Sequence, residues 1–202
     1  MVQRHLTTSH KFYCFTDHVN LHDLVKGNII FKKFPLNDME GWWNKLQLFN
    51  PQTELVGVNL YMDLDIVILK NIDCFAKFGD NLTFGILRDF GQPNMLYNSS
   101  VMKWNNENAS EIIWKRYYND RPHWRKVQGD QNVITDCLNN KKILKPFPDE
   151  WTQSYKWYDR SQKRFHKNSW TFEQDPNASV AIFHGRPNPH ESDKEWVKNN
   201  WK

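Results

Sequence analysis

The sequence predicts an α/β fold, and three observations carry that expectation. Apolar, strand-like runs alternate with amphipathic helical stretches along most of the chain, the pattern of a sheet covered by helices. The length of 202 residues suits one domain, two at most, and is enough to bury a real core. The run Leu60-Tyr61-Met62-Asp63-Leu64-Asp65-Ile66-Val67-Ile68-Leu69 is apolar apart from two aspartates one residue apart. It reads as a buried strand that carries acidic groups to its end.

Taken in order, residues 1–9 read as the end of a helix and 11–16 as a strand ending at Asp17. A second short strand is expected at 29–31, closed by Pro35. Asn37 or Asp38 is placed to cap a helix over 39–49, in which Trp42, Leu46 and Phe49 fall at helical spacing and after which Pro51 marks the end. The strand 56–62 delivers the acidic pair, 82–87 is another strand, and 100–104 follows a turn at Tyr97-Asn98-Ser99. Helices are expected at 107–118, with Ala109, Ile112, Ile113 and Trp114 toward the core, and at 130–138, started by Gly129-Asp130. Residues 143–144 and 180–183 read as late strands and 194–201 as a short terminal helix. The stretch 151–176 is polar, aromatic and aperiodic, and reads as a loop region covering a site.

Composition narrows the function. The formal charge is +4 with both signs mixed along the chain, which lacks the dense basic face of a nucleic-acid binder but suits an anionic small substrate such as a nucleotide phosphate. Cys14, Cys74 and Cys137 are scattered and form no CxxC pair, so a reducing, cytoplasmic compartment is expected. No apolar run approaches the ~18–20 residues of a membrane span, and the polar stretch 1–10 is no secretory signal. The sequons at Asn81, Asn98, Asn108 and Asn177 then read as chance. Most of the aromatic residues read as core, with a few offering flat faces to bases or sugars.

The chemistry starts at Asp63-Leu64-Asp65. In a strand, residues i and i+2 share a face, so the two carboxylates would stand side by side. They repel and raise a pKa unless a cation lies between them, and hard oxygen ligands suit Mg²⁺ or Mn²⁺. The plainer alternative is a strand that ends in an acidic turn, against which the immediate return to apolar residues argues. Three further clusters matter. In Phe183-His184-Gly185-Arg186, His184 offers an imidazole to a metal, Gly185 admits close backbone approach, and Arg186 suits phosphate oxygens, unless this is only a solvated turn. Asp130 is either a helix cap or a functional acid, and Gln131 beside it has an amide able to touch a sugar hydroxyl or a cationic centre. Asn98 and Ser99 lead into an apolar strand at a sheet edge, where α/β ligand sites lie.

Together these motifs resemble, in order, the GT-A class of nucleotide-sugar glycosyltransferases, over about residues 11–190. Asp63-Leu64-Asp65 is similar to the metal-binding DxD of that class, Asn98-Ser99-Ser100-Val101-Met102 to its sugar-pocket strand, Asp130-Gln131 to the acid–amide pair of retaining members, and His184-Gly185 with Pro187 to its C-terminal His-Gly element. Lys45 matches the basic residue that reaches the donor sugar. The size is also similar to that of the small soluble glycosyltransferases of large algal viruses. The resemblance implies a single Rossmann-like domain with a mostly parallel central sheet flanked by helices, residues 1–95 forming the nucleotide half and 96–202 the sugar and acceptor half. It implies transfer from a nucleotide diphosphate sugar, UDP-linked by expectation, to a hydroxyl of a glycan or glycoprotein acceptor. Asp63, Asp65 and His184 would hold Mn²⁺, with Mg²⁺ the alternative. Asp17, Leu64, Gly185 and Arg186 would contact the nucleotide and diphosphate. Lys45, Asp89, Asn98 and Ser99 would contact the donor sugar. Gln131, with Asp130, points to retention. Trp151, Tyr155, Trp157 and Tyr158 are candidates for an acceptor wall on their polar surroundings alone. Two features depart from the class: its opening strand is expected before the place where Met1 falls, and Ser100 stands where Gly is preferred.

Two other readings are open. Asp63-Leu64-Asp65-Ile66-Val67 is also similar to the nucleophile motif of haloacid-dehalogenase-type phosphatases, but that motif belongs near a chain start, and the residues before Gly129-Asp130 are too polar for that family's later acidic strand. A carbohydrate-binding module would explain the aromatics but not an acidic pair inside an apolar run.

Overall fold

A computed structural model describes residues 1–18, 29–156 and 173–202. The chain begins with α1 (Val2–His5), β1 (Phe12–Phe15) and β2 (Ile29–Lys32), followed by a 3₁₀ helix over Gly41–Phe49 and a 3₁₀ turn at Pro51–Thr53. Next come β3 (Val58–Met62), β4 (Ile66–Ile68), α2 (Asp73–Ala76), β5 (Phe84–Arg88) and β6 (Tyr97–Asn105). The helical stretch runs α3 (Asn106–Ala109), a π turn (Ser110–Trp114), α4 (Lys115–Asn119), α5 (Arg121–Trp124) and α6 (Asp130–Leu138). β7 (Leu144–Pro146), β8 (Thr152–Ser154), β9 (Val180–Ile182) and α7 (Glu195–Asn200) follow.

The strands form a β1-β2 pair, a sheet in the order β3-β6-β5-β7 and a sheet in the order β4-β9-β8. The mixed α/β class is as expected, but the sheets are not mostly parallel. β1-β2, β5-β7 and β8-β9 run parallel, while β3-β6, β5-β6 and β4-β9 run antiparallel. The cause is local: only residues 89–96 join β5 to β6, too few for the crossover that a parallel pair needs. The expected turn at Tyr97-Asn98-Ser99 is likewise the start of β6, paired with β5 across a register shift between Ile86 and Leu87.

The segment before β3 explains much of the site. It is a 3₁₀ helix, whose side chains align every third residue instead of every 3.6. Trp43, Leu46 and Phe49 therefore share one ridge, and Trp42, Lys45 and Leu48 another. Leu46 and Phe49 are fully buried, whereas Trp42 is 61% exposed, so Trp42 does not join the apolar face expected of an α-helix. Nor do Asn37 and Asp38 cap it. Glu40 takes the N-cap position, and the Asp38 carboxylate accepts from Arg121 at 2.8 Å instead.

Phe49 packs on Phe84 and Trp104, with ring centroids 5.9 and 5.1 Å away. This joins the 3₁₀ helix to β5 and β6 in a core that also takes Ile113, Val133, Ile134 and Leu138 from the helices. The expected helix over 107–118 is present as a continuous run from Asn106 to Asn119, interrupted by its π turn, and α6 has the expected bounds. Ser110, in the π turn, donates to the Phe49 carbonyl at 2.7 Å. A second core lies where the two larger sheets meet, through Ile66, Ile68, Leu87, Val101, Val180 and Ile182. Among the described residues no helix is long and apolar enough to cross a membrane.

Candidate active site

Asp63-Leu64-Asp65 is not within a strand. The apolar run is two strands of different sheets, β3 and β4, and the acidic residues form the turn between them. Both ends of the turn are pinned. The Asp63 N–H donates to Ser100 O at 2.9 Å, continuing the β3-β6 ladder, and Asp65 O accepts from Phe183 N at 3.1 Å, continuing β4-β9. Leu64, between them, is 93% exposed. The two carboxylates are thus set by the sheet junction and not by the alternation of one strand.

Asp63 is enclosed by donors. Tyr61 Oη donates to its Oδ1 at 2.5 Å, and Lys45 Nζ lies 2.9 Å from the same oxygen. The ammonium also lies 3.6 Å from Asp130 Oδ2 and donates to Ser99 Oγ at 3.0 Å. Ser99 Oγ in turn donates to Asp130 at 2.7 Å. Four elements meet here: the Lys45 ridge of the 3₁₀ helix, the end of β3, the start of β6 and the first residue of α6. The Lys45, Asp63 and Asp130 side chains are only 11%, 20% and 8% exposed. One buried cation therefore serves two carboxylates, an arrangement that tolerates loss of the cation poorly. Burial, with Asp63 next, holds the Tyr61 hydroxyl protonated far above its ordinary range.

Asp65 faces the other sheet. Burial first, and Asp63 second, push its carboxyl above the usual carboxylate range, while an N–H from Gly185 opposes the shift. His184 and Gly185, just after β9, both have positive φ, at 50° and 74°. That is costly for a histidine and is the kind of backbone found at functional sites. Phe90 packs edge-on to the His184 ring at 4.6 Å, and Lys156 Nζ donates to the His184 carbonyl at 2.9 Å. Burial lowers the Lys156 pKa, and Asp65 draws it back up.

The other expected residues divide. Asp130 and Ser99 join the network, and Gln131 follows at the first turn of α6, half-buried. Asn98 is buried and its side-chain oxygen accepts from Ser100 N at 3.0 Å. Asp89 Oδ1 accepts from Gly91 N at 2.8 Å and Gln92 N at 2.9 Å, so this oxygen shapes its own turn. Asp17 is 92% exposed after β1, beside His18. Arg186 is 87% exposed and 3.9 Å from Glu191. Of the expected acceptor wall, Tyr155 is buried and stacked on Phe183 with centroids 4.1 Å apart, and Trp151, half-buried, packs edge-on to Phe75 at 5.1 Å. They flank β8, a strand unseen in the sequence whose three residues are buried. Trp157 and Tyr158 lie outside the described residues. The sequence also gave no sign of Tyr61 or Lys156 as site residues.

The acidic pair offers two carboxylates from one turn at the sheet junction, hard oxygen donors that suit a divalent cation. The third expected ligand is not gathered with the pair. Among the described residues no three His, Cys, Asp or Glu side chains are grouped to hold a metal ion.

No family model and no curated protein matches the chain. Solved structures do. The glycosyltransferase GlyE of Streptococcus pneumoniae TIGR4 superposes with a TM-score of 0.65 at 16% identity over 97% of this chain. The galactosyltransferase LgtC, in complex with donor and acceptor sugar analogues, gives 0.61 at 13% identity over 97% of the chain. An active-site glutamine-to-glutamate variant of LgtC gives 0.58 at 16% identity over 86%. The chain has a GT-A fold. Its match spans 57% of the GlyE chain and 87% of the LgtC complex chain. Within this GT-A fold the acidic turn, the Lys45 network and the His184-Gly185 segment meet at the junction of the two larger sheets.

Proposed function

We propose that the protein is a glycosyltransferase that moves a sugar from a UDP-sugar to an acceptor hydroxyl with retention of configuration. The observation that carries this reading is the convergence of Asp63, Asp65, Lys45 and Asp130 where the two sheets of a GT-A fold meet. GlyE and LgtC, which share the fold, are described as a glycosyltransferase and a galactosyltransferase. A phosphatase of the haloacid-dehalogenase type would need a different fold.

Asp63 and Asp65 would hold a divalent cation, Mn²⁺ in preference to Mg²⁺, without His184, which is not grouped with them. Such an ion supplies Lewis acidity and a template for a leaving diphosphate. The chain's own groups do the rest. The Gly185 N–H holds the Asp65 carboxylate, and Arg186, exposed on the same segment, would pair with the phosphates. Lys45 reaches toward the donor sugar from a position fixed by Asp63, Asp130 and Ser99. Asp130 is occupied with Lys45 and Ser99, which makes it a positioning residue and leaves Gln131 as the group beneath the anomeric carbon. An amide there suits front-face attack better than a carboxylate base would suit inversion. The active-site glutamine of LgtC is in keeping with this role.

Linkage provides the test. UDP with Mn²⁺ at about 100 times Kd stabilises the folded state by about 2.7 kcal/mol, or roughly 5–10 °C in Tm for a chain of this size. Asp65→Asn should keep the unliganded Tm, because it removes a strained charge, yet abolish the ligand-induced shift and turnover. If no nucleoside diphosphate moves the Tm of the wild-type protein, the transferase reading falls and a sugar-binding module takes its place.

A further inference from the structure

Trp42 lies beside Gly129, one 3₁₀ turn before Lys45. Its ring lies close to Gly129: a Cβ placed there would be 3.4 Å from Nε1, 3.6 Å from Cδ1 and 4.0 Å from Cε2. The indole therefore rests over the residue that precedes Asp130 and Gln131. From its own helix it shares a ridge with Lys45, one 3₁₀ turn away, and Lys45 lies against Asp63, Asp130 and Ser99. An isolated exposed apolar residue is commonplace. This one is different in place: 61% exposed, lying against the backbone at the start of α6, and adjacent to the residues that would flank the transferred sugar.

A flat indole with one edge seated and much of its surface in water presents a face to the C–H face of a pyranose ring, an amphipathic match. We propose that Trp42 is the acceptor platform and that the acceptor is a saccharide whose ring stacks on the indole, its reactive hydroxyl turned toward Gln131. This inference rests on the transfer reading above. It places the acceptor on a different face from Tyr155, which is buried against Phe183.

The test compares wild type with Trp42→Ala and Trp42→Phe, using a UDP-sugar donor and methyl glycosides of glucose, galactose, mannose and N-acetylglucosamine as acceptor probes. Trp42→Ala should raise the acceptor KM at least tenfold while the donor KM stays within twofold, and Trp42→Phe should recover part of the loss. Saturation-transfer NMR with the same glycosides, without nucleotide, should show ring C–H signals in wild type that vanish in Trp42→Ala. An unchanged acceptor KM or unchanged NMR signals in that variant overturn the proposal, as does a wild type that engages none of the glycosides. If Trp42→Ala does not fold, Trp42→Leu carries both measurements, since it keeps apolar bulk but has no flat face. The two readings fail differently: absence of any nucleotide-dependent Tm shift removes the transferase, whereas NMR signals that still depend on Trp42 keep the sugar platform.

Discussion

Lys45 is where the residue-scale energetics concentrate. A buried ammonium shared by two carboxylates leaves both uncompensated if it is removed, and breaking such a pair costs about 3–5 kcal/mol. Lys45→Met should lower unfolding stability by that amount in urea, and Lys45→Arg by much less. Equal stabilities for the two variants would show that the ion pair is idle. The sequence made some of these residues visible and hid others for a plain reason. Asp63 and Asp65 stood out because charge inside an apolar run breaks the pattern of burial. Tyr61 in a strand and Lys156 in a polar stretch break no pattern, and only their contacts with Asp63 and the His184 carbonyl reveal them.

At the scale of elements, helices with a clear repeat were legible: α6 runs over the residues expected, and the run from Asn106 to Asn119 is close to expectation. Where the period itself was in question, the reading failed. Nine residues do not separate a repeat of 3 from one of 3.6 by eye, and the difference moved Trp42 from the core to the surface. The strand expected over 56–62 agrees with β3, whereas the apolar residues after Asp65, for which no separate strand is expected, form β4 in the other sheet. The 3₁₀ helix owes its attachment to Phe49, which is fully buried against Phe84 and Trp104. Phe49→Ala should cost about 3–5 kcal/mol through the cavity it leaves, measured by chemical denaturation. A loss under about 1 kcal/mol would mean that the helix is held elsewhere.

Across the whole molecule, the first and last helices meet, with Arg4 donating to the Asn200 carbonyl at 2.6 Å. The N-terminal segment is also fastened to Asp73, whose carboxylate accepts from Thr7 N at 2.8 Å, from the Thr7 hydroxyl and from Thr8 N at 3.3 Å. The Thr7 hydroxyl is the main reason that this carboxyl is held well below the usual range, with Lys77 also beside it. A folded value below the unfolded one means a contribution that is complete above the unfolded pKa of about 3.9 and lost as pH falls toward the folded one. Tm should therefore decline in acid below about pH 4, and Asp73→Asn should flatten that decline. Parallel Tm-against-pH curves for the two proteins would refute the assignment. Overall the fold class was legible and the mixed strand directions were not, because pairing depends on connection lengths that no single segment records. The acidic turn carries a last implication. Since one of its ends is stitched into each large sheet, the gap between its two carboxylates doubles as a gauge of how those sheets are seated, and a shift of either sheet would register there first.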